Sequence, residues 1–396
     1  MSALVDLVER VRDATRTATP LDIQGGGSKA FYGGRPVGQA LSTRGLLGIT
    51  AYEPTELYVT VRAGTPLVEV EAALAERGQM LAFEPPRFAS ADGTRPGTVG
   101  GMVAAGLSGP SRPARGAVRD HVLGATLLNG RGEVLRFGGQ VMKNVAGFDV
   151  SRLLAGSMGV LGVILDVTLK AMPRPAARLT LRLECSAADA LQRLAQWRSQ
   201  PLPIDASAWW DGMLVLRLAG AQAAVQAAQA RIGGEPIPHE MAEAFWRGLR
   251  DQDDEFFVAA RQAVAAGAAH GVALWRLSLP PTAPPVAGLS GEQLIEWGGA
   301  QRWVCTPMPA ARVREIAHKL GGHATRFIGH DAGRQAGEVF GLLPAPLDRL
   351  HRQLKAAFDP AGIFNRGRLF DEAGEPVAIE LPAQQPAPAT APQAAP

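Results

Sequence analysis

The segment GTVGGMVAAGLSG, from Gly97 to Gly109, decides our interpretation of this chain. It carries no charge and contains five glycines, which interrupt it too often for a membrane span or an ordinary core helix. Glycine has no Cβ, so its backbone adopts positive φ values and lets another group approach closely. A cluster of Gly and Ala beside a single Thr is therefore typical of a wall that lies against a flat ligand.

Two other glycine-rich segments repeat this chemistry. The first, QGGGSK from Gln24 to Lys29, follows a short apolar strand, and its successive N–H groups, hydroxyl and ammonium suit a pyrophosphate. The second, KNVAGFD from Lys143 to Asp149, leads into GSMGVLGVI from Gly156 to Ile164. Three such segments in the first half of the chain predict one extended ligand.

The composition sets bounds on size, partners and cofactors. The 396 residues suffice for two domains, each with its own core. The 40 basic residues nearly balance 37 acidic ones and are scattered, whereas a nucleic-acid partner requires a basic stripe or tail. Cys185 and Cys305 are the two cysteines, which excludes an iron–sulfur cluster held by this chain, since such a cluster takes about four thiolates. Any electrons that leave this protein must therefore go to a partner or a diffusible acceptor.

No targeting or membrane-spanning segment is predicted. Asp6, Glu9 and Arg10 interrupt the N-terminal residues where a signal peptide would have its apolar region. Gly or Pro breaks every uncharged apolar run before it reaches about 18 residues. We therefore expect a cytoplasmic protein, with any attachment to a membrane made through a partner.

Strands and helices alternate over residues 1–172, which we expect to form a first domain. Within it, Val122–Phe137 is predicted to be a hairpin in which Asn129-Gly130 makes the tight turn. The other expected elements are a helix beginning near Leu4, strands over Leu21–Ile23, Leu57–Arg62, Leu81–Phe83 and Val160–Leu169, and helices over Val68–Arg77 and Val150–Leu154.

Residues 173–370 show a different pattern and are expected to form a second domain. Strand pairs such as the one turned by Asp211-Gly212 alternate with helices, for instance Ala187–Trp197 and Ala311–Leu320. This pattern predicts an α+β domain with its helices on one face of the sheet. We expect this second domain to cover the cofactor held by the first domain. Residues 371–396 are rich in Ala, Pro and Gln and are expected to be a disordered tail.

Six motifs together resemble a known family, the vanillyl-alcohol-oxidase or PCMH type of FAD-binding domain. More closely, they resemble the FAD-binding E subunits of bacterial glycolate oxidase. The resemblance is strong over residues 20–172 and looser over 302–370, and it implies an α+β fold. In that fold a PCMH-type domain of two small α/β subdomains precedes an antiparallel-sheet cap domain. The motifs, in chain order, are IQGGGSK, FEPPRF, GTVGGMVAAGLSGPSR, RDHVLGATLLNGRGEV, MKNVAGFDVSRLLAGSMGVLGVI and FDPAGIFNRGRLF.

The resemblance implies a non-covalent FAD site. The 24–29 loop holds the pyrophosphate and contains no His or Cys that could bond covalently to the flavin. Val163 packs by the adenine end, whereas Pro85-Pro86 and the Lys143–Phe148 segment approach the flavin. The implied cofactor-binding residues are Gln24, Gly25, Gly26, Gly27, Ser28, Lys29, Pro85, Pro86, Gly97, Thr98, Val99, Gly100, Gly101, Ala104, Ala105, Lys143, Gly147, Gly159, Gly162 and Val163.

The glycine spacing disfavours other nucleotide sites. A Rossmann site requires G-x-G-x-x-G between a strand and a helix, whereas Gly156, Gly159 and Gly162 are evenly spaced and lead into a strand. A P-loop requires Gly-Lys-Ser/Thr at the start of a helix, but here Ser28 precedes Lys29. FAD is thus favoured over NAD or ATP.

The catalytic residues stay open. In the family that this chain resembles, the catalytic subunit of the same complex carries a His-rich metal motif of the HxGDGNxH type. This sequence has no match to that motif, so we predict no metal site. His323 and His330 lack a supporting carboxylate at a recognisable spacing. The candidates are His323 and Arg326, on opposite sides of a predicted strand, and Asn365, in an Asn-Arg-Gly-Arg segment where the family has Asn-Pro-Gly-Lys. Arg302 is interpreted as a member of a surface ion pair rather than a carboxylate clamp.

The resemblance implies a subunit that contributes to the oxidation of glycolate to glyoxylate. Its implied partners are a sister FAD-binding catalytic subunit and an iron–sulfur subunit, and its implied ligand is glycolate or another small 2-hydroxy acid. Two alternatives stay open: a self-sufficient FAD-dependent oxidoreductase for a 2-hydroxy acid or alcohol, and a scaffold that keeps the fold without using FAD. We favour a role away from substrate because the sister subunit's metal motif is absent.

Overall fold

Two large antiparallel sheets organise the chain. A computed structural model describes residues 3–90, 92–139, 149–329 and 335–370. The strands are β1 Leu21–Gln24, β2 Gln39–Ser42, β3 Ile49–Glu53, β4 Tyr58–Arg62, β5 Gln79–Met80, β6 Val122–Leu128, β7 Val134–Gly138, β8 Val163–Lys170, β9 Met172–Pro173, β10 Ala177–Glu184, β11 Ile204–Trp210, β12 Met213–Gly220, β13 Glu235–Ile237, β14 Ala273–Ser278, β15 Gln293–Glu296, β16 Gln301–Thr306 and β17 His323–Ile328.

Helices cover these sheets, and the mixture confirms the predicted α+β class. They are α1 Ala3–Thr17, α2 Leu67–Glu76, α3 Val99–Ala105, α4 Arg112–Arg115, α5 Val118–His121, α6 Val150–Leu153, α7 Ala187–Arg198, α8 Gln222–Ile232, α9 His239–Asp251, α10 Glu255–Ala266, α11 Ala310–Lys319, α12 Ala336–Phe340 and α13 Ala345–Phe358.

A five-stranded sheet in the order β3-β4-β8-β6-β7 forms the centre of the first part of the chain. Its apolar side chains pack against α2 and α3 in one buried core, in which Val61, Leu74 and Val103 are fully inaccessible. Beside it, the parallel pair β1 and β2 packs against α1 through Leu7 and Leu41. This arrangement brings the end of β1 and the start of α3 to one place.

The second large sheet has eight strands in the order β13-β10-β12-β11-β15-β16-β14-β17. Alternate residues of β12 point to different cores: Leu214 and Leu216 pack with α7 and α8, whereas Val215 packs on the side of α9 and α10. The prediction that the helices lie on one face is therefore wrong. Both faces are covered because the strands are apolar on both sides, a pattern typical of a sheet buried between two layers.

An aromatic cluster joins the second sheet to the first part of the chain. The ring centroids of Phe31 and Phe88 are 5.3 Å apart, those of Phe31 and Phe327 are 5.4 Å apart, and those of Trp303 and Phe327 are 4.9 Å apart. All three pairs are edge-to-face, the arrangement that aromatic quadrupoles favour. The cluster fills the space between β16, β17 and the segment that follows the 24–29 loop.

The 97–109 segment contains a short helix rather than an uninterrupted wall. Thr98 begins α3, its hydroxyl accepting the N–H of Gly101 at 3.3 Å, and Gly106 ends it with a φ of +63°. A Cβ on Gly100 would lie 2.7 Å from the Cβ of Ala63. Glycine is therefore needed here because the helix lies directly against the chain beyond β4.

Two local predictions differ from the structure. Leu81–Phe83 is not a strand: the strand here is β5, which pairs with β9, and the apolar residues that follow turn into the core. The β6–β7 connection is longer than a two-residue turn. The Asn129 side chain accepts the N–H of Arg131 at 2.9 Å and of Glu133 at 3.0 Å, and Gly132 supplies the positive φ of +73°.

Candidate functional site

A cavity of about 830 Å³ lies where the glycine-rich segments meet. Its volume is within the range of roughly 300–1,000 Å³ that is usual for cofactor sites. No residue between β9 and β17 lines it, so the eight-stranded sheet does not cover it as the sequence had indicated. The predicted cofactor-binding residues that line it are Gln24, Gly25, Gly26, Gly27, Ser28, Lys29, Thr98, Gly100, Gly101, Ala104, Ala105, Gly159 and Gly162.

The 24–29 loop lies against the segment that leads into α3. A Cβ on Gly26 would be 1.4 Å from the carbonyl oxygen of Pro96, and one on Gly25 would be 2.5 Å from Thr98 Oγ1. Gly27 has a φ of +81°, which an L side chain rarely adopts. Gly25 and Gly26 thus let the loop approach the segment that leads into α3 closely, and Gly27 gives the loop a positive φ, which is common in the backbone turns that bind anions.

The third glycine-rich segment is held on the far end of α3. The N–H of Gly156 donates to the carbonyl of Val103 at 3.0 Å, and the N–H of Met158 donates to that of Ala104 at 2.9 Å. These bonds satisfy carbonyls at the end of the helix and fix the turn that carries Gly159. The 24–29, 97–109 and 156–164 segments thus form one continuous wall, which is consistent with the prediction that they serve one site.

Asn365 joins two parts of that wall. Its Oδ1 accepts the N–H of Ile23 at 2.7 Å, and its Nδ2 donates to the carbonyl of Met158 at 2.6 Å. The residue is buried, and its φ of +41° is one that Asn tolerates better than most residues. A Cβ on Gly159 would lie 2.5 Å from Nδ2. Both polar ends of the amide therefore position the cavity wall.

Basic side chains dominate the charge of the cavity. Lys29, Arg35, Arg44 and Arg368 line it, against one carboxylate, that of Asp22. Arg44 Nε donates to the Gly25 carbonyl at 3.0 Å, and Arg368 Nη2 donates to the Lys29 carbonyl at 2.9 Å. Two arginines thus support the loop from outside while adding positive charge, which suits a dinucleotide pyrophosphate.

The three arginines are functional candidates that the sequence did not identify. Arg44 lies outside the glycine-rich motifs, Arg35 follows Gly33-Gly34, and arginine is too common in this chain for either to stand out. Arg368 lies within the quoted FNRGRLF motif, so that motif was the one available signal.

Lys29 has an unusual electrostatic environment. Burial lowers its pKa to about 8, and the negative charge of Asp251 opposes that shift. Its ammonium lies 5.6 Å from the centroid of the Phe88 ring. An anion that enters the cavity would therefore stabilise the charged form of Lys29.

Several predicted residues do not line the cavity. Gly97 is adjacent to it, since a Cβ there would lie 3.5 Å from Ser28 Oγ. Val99 and Val163 are fully buried in the cores beneath. Pro85 and Pro86 lie away from it, Pro86 at a separate, smaller cavity. Lys143 and Gly147, with the rest of the Lys143–Phe148 segment, lie outside the described residues.

The smaller cavity has room for about one water molecule. Its volume is about 20 Å³, and Phe88, Trp303 and Phe327 close it. The buried carboxyl group of Glu296 lines it and accepts hydrogen bonds from Trp303 Nε1 at 2.6 Å and Gln301 Nε2 at 3.0 Å. Burial raises the pKa of Glu296 to about 7, although these two bonds oppose the shift.

The candidate catalytic residues are not brought together. His323 and Arg326 line neither the large cavity nor the smaller one, and Arg326 pairs with Glu338 at 2.8 Å. Burial, followed by the charge of Arg276, lowers the pKa of His323. Arg302 is not in a surface ion pair: it is fully buried and donates to the backbone carbonyls of Gly299, Ala283 and Pro284. It therefore holds a loop through three backbone carbonyls.

The described residues contain neither a cluster of metal ligands nor a membrane-spanning helix. Among residues 3–90, 92–139, 149–329 and 335–370, no three His, Cys, Asp or Glu side chains are grouped as metal ligands would be. In those same ranges no helix has the length and apolarity needed to cross a bilayer. His330 is outside them.

Comparisons with known proteins agree with this site. A family model described as an FAD binding domain matches residues 4–138. The solved structure of an alkyldihydroxyacetonephosphate synthase superimposes with a TM-score of 0.60 at 16% identity, covering 91% of this chain and 75% of that one, and this likeness shows the fold alone. Together, the fold and the glycine-lined cavity define an FAD-binding protein of the PCMH type.

Full-length relatives make the assignment more specific. The chain is 48% identical to glycolate oxidase subunit GlcE of Escherichia coli (strain K12), over 92% of this chain and 97% of that protein. It belongs to the family of that subunit. It is also 29% identical to glycolate oxidase subunit GlcD of Bacillus subtilis (strain 168), over 41% of this chain and 34% of that protein.

Proposed function

We propose that this chain is the FAD-binding subunit of a glycolate oxidase (glycolate dehydrogenase) complex and contributes to the oxidation of glycolate to glyoxylate. The observation that carries the proposal is the 48% identity to the E. coli subunit over 97% of its length. The cavity supports it, because its glycine walls and basic lining fit a dinucleotide. When bound, FAD supplies an acceptor for hydride or electrons, and a partner subunit receives those electrons.

The residues of the cavity divide the work of holding FAD. The N–H groups of the 24–29 loop bind the pyrophosphate, and Lys29 and Arg44 balance its charge. Gly100 lets α3 lie directly against Ala63, and Gly101 adds no side chain to the part of α3 against which the dinucleotide lies. Asn365 positions the loop and the opposite turn without itself reacting. The chain thus binds and orients the cofactor through backbone groups more than through side chains.

We propose that the CH–OH donor is oxidised on the sister subunit rather than here. The cavity closed by Phe88, Trp303 and Phe327 holds about one water, whereas glycolate is several times larger. His323 and Arg326 add no acid–base pair to either cavity. A stand-alone 2-hydroxy-acid or alcohol oxidoreductase is the second candidate, favoured by the titratable Glu296 beside that aromatic cluster.

The proposed partners are a sister FAD-binding catalytic subunit and an iron–sulfur subunit. The similarity to both a GlcE and a GlcD protein supports the first of these. We further propose that the protein is cytoplasmic and that any contact with the inner face of the membrane is made by the complex. We propose no nucleic-acid partner. The proposed division into residues 1–172, 173–370 and a 371–396 tail follows the change from the five-stranded to the eight-stranded sheet.

The absorption spectrum of the purified chain with added FAD tests these proposals. Bound flavin gives bands near ~450 nm that a gel-filtration step does not remove. Anaerobic glycolate should leave these bands unchanged for the chain alone and bleach them once the sister subunits are added. Bleaching by glycolate alone would favour the stand-alone enzyme. Failure to retain any flavin would favour a scaffold that keeps the fold without the cofactor.

A further inference from the structure

A second polar cleft, of about 260 Å³, lies between the two large sheets and shares no lining residue with the FAD cavity. One side comes from α2, β5 and the loop that follows, and the other from β10, β12 and α9. Six arginines line it: Arg87, Arg174, Arg178, Arg217, Arg247 and Arg250. Three carboxylates also line it, those of Glu71, Glu84 and Glu243, so the guanidinium groups outnumber the carboxylates of the lining two to one.

Three of these arginines are already neutralised and form a fixed frame. Arg217 is buried between Glu84, at 2.8 Å, and Asp205, at 2.7 Å. Arg250 binds Asp251 at 2.8 Å. The third, Arg87, lies 3.2 Å from Glu71. These ion pairs connect the loop after β5 with β12, so the walls of the cleft are held in place before any ligand enters.

The other three arginines have donors to spare. Arg174 and Arg247 are exposed, and their side chains form no hydrogen bond or ion pair within the described ranges. Arg178 makes only long contacts, 3.5 Å to Glu243 and 3.4 Å to the sulfur of Met80. The Nε of Arg178 is shielded from solvent and has no hydrogen-bond acceptor among the described residues. Shielded N–H groups without acceptors are uncommon in folded proteins and indicate a missing partner.

We propose that this cleft binds a small multivalent oxyanion, either a di- or tricarboxylate or a phosphate ester. Both kinds of ligand present paired anionic oxygens, which guanidinium groups bind in a bidentate manner. The volume is about a third of that of the FAD cavity, so it suits a metabolite rather than a dinucleotide. Because one side of the lining comes from α2, β5 and the loop after it and the other from β10, β12 and α9, the bound anion stabilises the contact between these two parts of the chain and raises the unfolding temperature.

Isothermal titration of the FAD-supplemented, full-length chain tests this proposal. The probes are citrate and inorganic phosphate at a constant ionic strength set with sodium chloride, which removes general screening effects. At least one probe should bind saturably at a single site, and Arg178→Gln should weaken it by about tenfold or more. Binding of phosphate but not citrate identifies a phosphate ester as the ligand class, and the reverse identifies a carboxylate.

Arg182→Gln is the matched control. It removes the same charge from the same strand, but Arg182 pairs with Glu235, at 2.7 Å, and does not line the cleft. Affinity should stay within about twofold. Arg247→Gln is a second test variant, since its exposed side chain has no partner whose loss would impair folding. The proposal is overturned if neither probe binds saturably, or if Arg178→Gln and Arg247→Gln both bind as the control does.

Discussion

The Gly26→Ala substitution tests whether the 24–29 loop is the pyrophosphate cradle. The new Cβ would lie 1.4 Å from the Pro96 carbonyl oxygen, whereas ordinary contact requires about 3.5 Å. The loop must therefore move by about 2 Å. Such a shift displaces the carbonyls that Arg44 binds at 3.0 and 3.2 Å and turns the N–H groups away from the ligand. Loss of two charge-assisted hydrogen bonds between the loop N–H groups and the pyrophosphate weakens FAD binding by about 3 kcal/mol.

That cost corresponds to an increase of about 100-fold in the dissociation constant for FAD. It is measured by titrating FAD and following the quenching of flavin fluorescence on binding. Gly139→Ala is the control, because a Cβ there has nothing within 4 Å and the residue does not line the cavity. Thermal unfolding of both variants shows whether the fold survives. A folded Gly26→Ala protein that binds FAD within about threefold of the unchanged chain would refute the reasoning.

Three further predictions concern titration and packing. Burial holds the pKa of Lys29 at about 8, and a bound phosphate favours the charged form of the lysine. FAD binding should therefore take up a proton, and FAD affinity should fall as pH rises above about 8. Lys29→Met should remove this pH dependence, whereas Lys29→Arg should keep tight FAD binding at pH ~9. The Asn365→Ala change leaves the Ile23 N–H and the Met158 carbonyl unpaired and should lower the unfolding free energy by about 2–4 kcal/mol in urea titrations. Asn365→Asp should lose at least as much, because it keeps the acceptor for Ile23 but places a buried carboxylate oxygen against the Met158 carbonyl, where Nδ2 donated. Glu296 has a pKa raised to about 7 in the folded state, so the folded protein binds this proton more tightly than the unfolded chain. Its contribution to the free energy of unfolding is complete below about pH 4.5 and declines as pH rises to about 7. Glu296→Gln should flatten that part of the stability profile, and an unchanged slope would contradict the raised pKa of Glu296.

Local chemistry made much of this protein predictable from its sequence. Glycine-rich segments signal close backbone approach, and the structure places Gly26, Gly100 and Gly159 where a Cβ would collide with neighbouring atoms. The Asp211-Gly212 turn was equally direct: its residues have φ values of +45° and +77°, the conformation that favours a tight hairpin. In each case the residue type itself carries the constraint, so no knowledge of distant contacts is required.

Features that depend on long-range contacts were missed. Arg302 looked like any exposed arginine, and only the tertiary fold shows that three loop carbonyls surround it. The strand expected at Leu81–Phe83 failed because an apolar run of that length serves equally well as a buried turn. Arg35 and Arg44 gave no signal because their role in the cavity depends on where β2 lies, which no local pattern specifies.

The hydrogen bond between Asn365 and Ile23 joins positions 342 residues apart along the chain. A ribosome that has made the 24–29 loop must add nearly all the remaining sequence before the wall carried by Asn365 exists. Newly made protein therefore cannot acquire its flavin gradually during synthesis: the pocket is finished in one late step, after both large sheets have been translated.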